Sequence, residues 1–145
     1  MVVMADKSVP TSDHIRDIIS FVEASPTSYH AVAELTRRLE QAGFQRLEET
    51  ESWPSVEGRR YVVRDGAVIA WITPEKVTPQ LGARIVGSHT DSPSFKLKPN
   101  ATVTNQGWQQ VGMEVYGGGL LNSWLDRDLG LSGRLITCDG QAHLV

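Results

Sequence analysis

Arg84-Ile85-Val86-Gly87-Ser88-His89-Thr90-Asp91-Ser92-Pro93 joins a β-branched approach to a histidine and an aspartate two positions apart. In an extended backbone, residues i and i+2 face the same side. The sequence therefore predicts that His89 and Asp91 project together from the end of a buried strand. Pro93, with no N–H to donate, stops the ladder two residues later. A metal-ligating imidazole commonly gives its second ring N–H to a carboxylate, and this spacing suits that pair. Strand ends in open α/β sheets are also where ligands gather. A single His-x-Asp is more often a hydrogen-bonded surface or core histidine near a strand end than a metal ligand. The tripeptide alone leaves both readings open.

Working outward, Ser12 can cap a first helix whose apolar face is Ile15, Ile18, Ile19 and Val22, before Ser25-Pro26 ends it. A second helix from about Ser28 places Val32, Leu35, Leu39 and Ala42 on one face. Glu34 and Arg38 form an i,i+4 pair, and Gly43 is the stop. Phe44–Leu47 reads as short and extended, and Glu48–Gly58 as a polar loop. Tyr61–Arg64 and Ala67–Ile72 flank Asp65-Gly66, a pair suited to positive φ, and predict a hairpin. Two helices, a hairpin and a buried strand make an α/β domain. After Pro99 the character changes. Leu129, Leu131, Gly133 and Leu135 alternate as a strand does, and Asp139-Gly140 turns the chain toward Gln141–Val145. The sequence stops inside that second hairpin, which suggests a truncated chain.

The bulk numbers exclude more than they identify. The 145 residues suffice for one ordinary domain, and apolar and charged fractions of 40% and 21% are those of a water-soluble globular protein. A net charge of -3 gives no electrostatic case for nucleic acid or an acidic membrane surface. Cys138 is the single cysteine, so there is no disulfide framework and no cysteine-rich zinc site, and a reducing cytoplasm is the default compartment. The first ten residues lack the apolar core of a secretory signal, and no run is long enough to span a membrane.

Several stretches together resemble the aspartyl aminopeptidase family of zinc metallopeptidases. They are Phe21–Val32, Leu39–Phe44, Gly87–Pro93 with Lys96-Leu97-Lys98-Pro99, Val115–Gly119, and Trp124–Arg134. The similarity runs in order from about residue 15 to 137. It implies an α/β fold: the N-terminal part of a zinc-peptidase α/β domain over residues 1–99, then the start of an inserted β-rich dimerisation domain over 100–145. It also implies a cytoplasmic homo-oligomeric enzyme that removes N-terminal, characteristically acidic, residues from peptide substrates with two zinc ions. Matched by position, His89 is the first zinc-ligand histidine and Asp91 the catalytic-site aspartate that orients it. The glutamate pair and the remaining ligands of that family have no counterpart in these 145 residues. Ser94 stands where many relatives carry cysteine, a change of little consequence in size. The expectation is that the isolated piece neither binds zinc tightly nor cleaves peptides. A different class of function is a non-catalytic fragment that acts only by association with a full-length partner, since unpaired edges recruit strands.

Other candidates read more plainly as structure. Glu48, Glu49 and Glu51 form a solvated charge run ahead of the histidine. Asp126-Arg127-Asp128 places two carboxylates on one face of a strand, either a site or an ion-pair cluster. Gly117–Gly119 carries no phosphate-binding signature and reads as a bend. Ser88 cannot form a dyad with its strand neighbour His89. His14 and His30 read as helix-surface residues, and His143 as a terminal strand residue. Trp53, Trp71, Trp108 and Trp124 are spread along the chain as core residues are.

Overall fold

Asp65-Gly66 closes the hairpin that its sequence predicts, and the rest of the ordered core assembles around it. The structure, a computed structural model, describes residues 11–53, 55, 57–76, 78 and 82–145. Its elements are α1 (Thr11–Glu23), α2 (Ser28–Gln41), β1 (Gln45–Arg46), β2 (Gly58–Arg64), β3 (Ala67–Thr73), β4 (Ser94–Asn105), β5 (Trp108–Tyr116), a 3-10 turn at Leu121–Trp124, β6 (Arg134–Ile136) and β7 (Ala142–Leu144). The described chain divides into two compact units: the chain up to Asp91 together with Leu131–Val145, and Ser92–Gly130.

In the first unit β1, β2 and β3 form one sheet in that order, with β1–β2 parallel and β2–β3 antiparallel. Asp65 takes φ 50°, as a tight two-residue turn requires. α2 lies against this sheet, and its Ala31 and Val32 are buried with Tyr61 and Val62 of β2. The helix starts where Thr27 accepts from the His30 amide, and ends as Gly43 enters the left-handed region at φ 80°. Glu34 pairs with Arg38 as expected, and with Arg37 as well, both at 2.6 Å. Arg38 also reaches Asp17 of α1 at 2.7 Å and lies 5.2 Å from the Phe21 ring centre. β6 and β7 form the second expected hairpin, extended by reciprocal Gly133–Val145 backbone bonds, with Gly140 at φ 81° and Cys138 exposed in the turn.

The second unit is a long two-stranded ribbon, β4–β5, that the sequence reading did not anticipate. Gln106 and Gly107 both take positive φ, 47° and 83°, the requirement of a type I′ turn. Pro99 hides the strand from a sequence reading because it cannot donate to a ladder. The register shifts between Leu97 and Thr102, and Pro99 falls in that irregularity. The bend expected at Gly117–Gly119 is present. Gly117 has φ 76°, and a Cβ there would come within 3.2 Å of Pro93. Phe95 meets Trp124 edge to face at 4.9 Å.

Four expectations need correction. Arg84–Val86 is not a buried strand: residues 82–89 carry no strand assignment, and Ile85 and Val86 are 89% and 71% exposed. Their β-branched character suits a buried strand, but among the described residues no neighbour pairs with them. The apolar face of α1 is correctly patterned, yet Ile18 and Val22 are each 63% exposed. Asp126 sits at φ 52° in the turn after the 3-10 helix, so the Asp126–Asp128 carboxylates do not share a strand face. Trp108 is 74% exposed on the ribbon and is no core residue.

Candidate functional site

The site is built from a bend rather than from a strand end. The chain bends at Thr90, and the Thr90 hydroxyl donates to the Gly66 carbonyl at 2.6 Å. Gly66 in turn packs so closely on α2 that a Cβ there would lie 2.6 Å from Ser28 Oγ and 2.9 Å from Ser28 Cβ. This residue is glycine because the N-terminus of α2 leaves no room for a side chain. The turn of β2–β3 thus fixes Thr90, and Thr90 sits between the two candidate residues.

His89 Nδ1 makes a short hydrogen bond with the backbone carbonyl of Asp91, and the Asp91 carboxylate lies 3.8 Å from the same nitrogen. The structure therefore brings the two residues together, through a bend and a main-chain oxygen instead of side-by-side projection from a strand. A carbonyl only accepts, so Nδ1 carries the proton, and in a neutral ring the lone pair is left on Nε2. The His89 side chain is 75% exposed and the Asp91 side chain 49%. An exposed imidazole with its proton held on Nδ1 fits the donor a zinc ion takes.

Two of the other acidic candidates are occupied elsewhere. Glu48 pairs with Arg46 and Glu49 with Arg64, each at 2.7 Å, as a solvated charge run does. His30 is not a plain surface residue. It is half-buried in the α2 N-cap, with Nδ1 2.8 Å from Thr27 Oγ1. His14 and His143 are exposed. Among the described residues no group of three or more His, Cys, Asp or Glu is placed to hold a metal.

Sequence reading passed over a second cluster in the first unit. Arg134 of β6 ion-pairs with Asp65 in the hairpin turn at 2.8 Å, and its guanidinium lies 4.1 Å from the centre of the Tyr29 ring. Asp65 drives the Arg134 pKa still further above its ordinary value. The partners are 69 residues apart, so no local pattern links them. The signal in the sequence was the Asp-Gly turn itself, which was read only for its backbone geometry.

Comparison with known proteins shows the family. Residues 21–144 match the family model described as aminopeptidase I zinc metalloprotease (M18). A Streptomyces avermitilis protein named as an M18 family aminopeptidase 2 is 54% identical over 132 residues, 91% of this chain and 31% of that protein. The chain thus spans about three-tenths of the length of the curated relatives it matches. Among solved structures it resembles one from the cryo-EM structure of the Ape4 and Nbr1 complex, with TM-score 0.84 and 36% identity over 100% of this chain and 29% of that one. It also resembles the S. cerevisiae mApe1 dodecamer, with TM-score 0.81 and 33% identity over 92% of this chain and 33% of that one. With 124 consecutive residues inside the family model, the chain belongs to the M18 aminopeptidase I family of zinc metalloproteases.

Proposed function

We propose that this chain is part of a zinc-dependent aminopeptidase that hydrolyses N-terminal residues, acidic ones by preference, from peptides. In this reading His89 is one ligand of its metal centre and Asp91 the residue that orients that ligand. The observation that carries it is the His89 imidazole, exposed and with its Nδ1 proton engaged by the residue-91 carbonyl, inside a stretch matched by the family model. His89 would hold zinc through Nε2. The Asp91 carbonyl fixes the tautomer, and the Asp91 carboxylate lies close to the same ring nitrogen. Zinc, when bound, supplies a Lewis acid that activates water and polarises the scissile carbonyl.

The same donor count bears on the piece by itself. Zinc takes three or four protein ligands, and His89 supplies one. The 145-residue chain alone neither binds zinc tightly nor cleaves peptides, while the complete protein carries two zinc ions, acts in the cytoplasm and assembles as a homo-oligomer. The solved yeast dodecamer supports the last point. Residues 1–99 then belong to the peptidase domain and 100–145 to the start of an inserted β-rich dimerisation domain. The test is a panel of aminoacyl substrates assayed on the complete gene product, with chelation, zinc restoration and the variant His89→Ala. Zinc-restored cleavage of acidic N-terminal residues, lost in the variant, is expected. Full cleavage by His89→Ala overturns the assignment of His89.

A second reading is a non-catalytic fragment acting only by association with a full-length partner. The exposed Ile85-Val86 segment, which pairs with no strand among the described residues, favours it, because such a segment can add to another chain's sheet. Co-expression with the full-length protein separates the two: retention of the fragment in that assembly supports association, and its absence argues against it.

A further inference from the structure

Thr90 lies at the centre of the bend that returns the Asp91 carbonyl to the His89 ring, and its hydroxyl is the anchor of that bend. The two neighbours of Thr90 are exposed, and Thr90 itself is half-buried against the β2–β3 turn. A bend in exposed backbone has many competing conformations, and fixing one residue's backbone costs roughly 1–2 kcal/mol in entropy. The 2.6 Å bond to Gly66 singles out the conformation in which Nδ1 meets the residue-91 carbonyl. The acceptor is itself immobilised. Gly66 is pressed on Ser28, and its neighbour Asp65 is held by Arg134. From helix to turn to hydroxyl to imidazole, each contact constrains the next.

We propose that Thr90 is a positioning residue for His89: by donating to the Gly66 carbonyl it sets the tautomer and direction of the imidazole. Its functional meaning rests on the metal reading given above, since a ring held as Nδ1–H presents Nε2 as the donor. The Thr90 methyl is not needed for this. The hydroxyl is.

The experiment is long-range proton–nitrogen NMR of the histidine rings in the full 145-residue chain, above the pH where they protonate. His89→Gln assigns the signal. In the wild type, His89 shows the Nδ1–H pattern. Thr90→Val shifts His89 toward the Nε2–H pattern, and Thr90→Ser restores the wild-type pattern. Amide signals of Tyr61–Val63 report in each case that β2 is intact, so a merely structural loss is recognised. Gly66→Ala, which displaces the acceptor and leaves Thr90 in place, is expected to reproduce the Thr90→Val shift. A wild-type pattern in Thr90→Val with β2 intact overturns the proposal, as does failure of Thr90→Ser to restore it. Relaxation of the wild type supplies a check that needs no variant: Thr90 and Asp91 amides should be as rigid as Asp65, with order parameters near ~0.85, and values below ~0.6 sink the idea. The metal reading fails separately, through zinc-independent cleavage by the complete protein, and that outcome leaves the tautomer result standing.

Discussion

Tyr61 shows how much one residue carries in a core this small. It is 1% exposed, and its hydroxyl donates to Glu40 of α2 at 2.6 Å. Burial, reinforced by that carboxylate, pushes the phenol up to about 12. Tyr61→Phe removes a hydrogen bond to a charged acceptor and is expected to cost about 1–2 kcal/mol, read from amide exchange of Val62 and Val63. Glu34 gives a pH signature. Hydrogen bonds from Arg37 and then Arg38 lower its carboxyl from 4.5 to about 2. A depressed folded pKa contributes stability that is complete above the unfolded value and is lost as pH falls from about 4.5 toward about 2. The α2 melting temperature should therefore fall across that window, and fall less in Glu34→Gln. An equal fall in both removes Glu34 as the cause. At this scale the sequence exposed His89 and Asp91 as a pair, because i and i+2 spacing is local information. The part played by Thr90 was hidden, since its acceptor lies 24 residues away.

Among elements, legibility followed turn chemistry. Asp65-Gly66 and Asp139-Gly140 announced their hairpins, and both formed. Gln106-Gly107 makes a two-residue turn with a less distinctive first residue, and Pro99 masked the strand before it, so the β4–β5 ribbon was missed. Hydrophobic patterning states that a face wants cover, but not what covers it. For that reason α1 and Ile85-Val86 were read as buried and are exposed. The β6–β7 hairpin has short strands and largely exposed side chains, so its attachment depends heavily on Arg134. Lysine keeps the charge but loses the planar stack on Tyr29. Arg134→Lys is expected to weaken docking by roughly 1 kcal/mol and to speed proteolysis within residues 131–145. Unchanged cleavage kinetics would show that the clamp is not what holds the hairpin.

For the molecule as a whole, the buried apolar set among the described residues is Ala31, Val32, Tyr61 and Val62, whereas Ile18, Val22, Ile85, Val86, Trp108 and Leu120 are each more than 60% exposed. That balance predicts binding of an apolar dye by the folded isolated chain. Absence of dye binding would contradict it. The division into units has a further consequence, in time rather than in space. The first unit is assembled from two stretches of chain, with Ser92–Gly130 between them. Arg134 follows its partner Asp65 by 69 residues, so at ribosomal rates of ~5–20 residues per second the clamp must wait roughly 3–14 seconds after Asp65 is made. Throughout that interval the Tyr29 face and the hairpin turn stand open on the nascent chain. Whatever shields them then is part of how this protein is made.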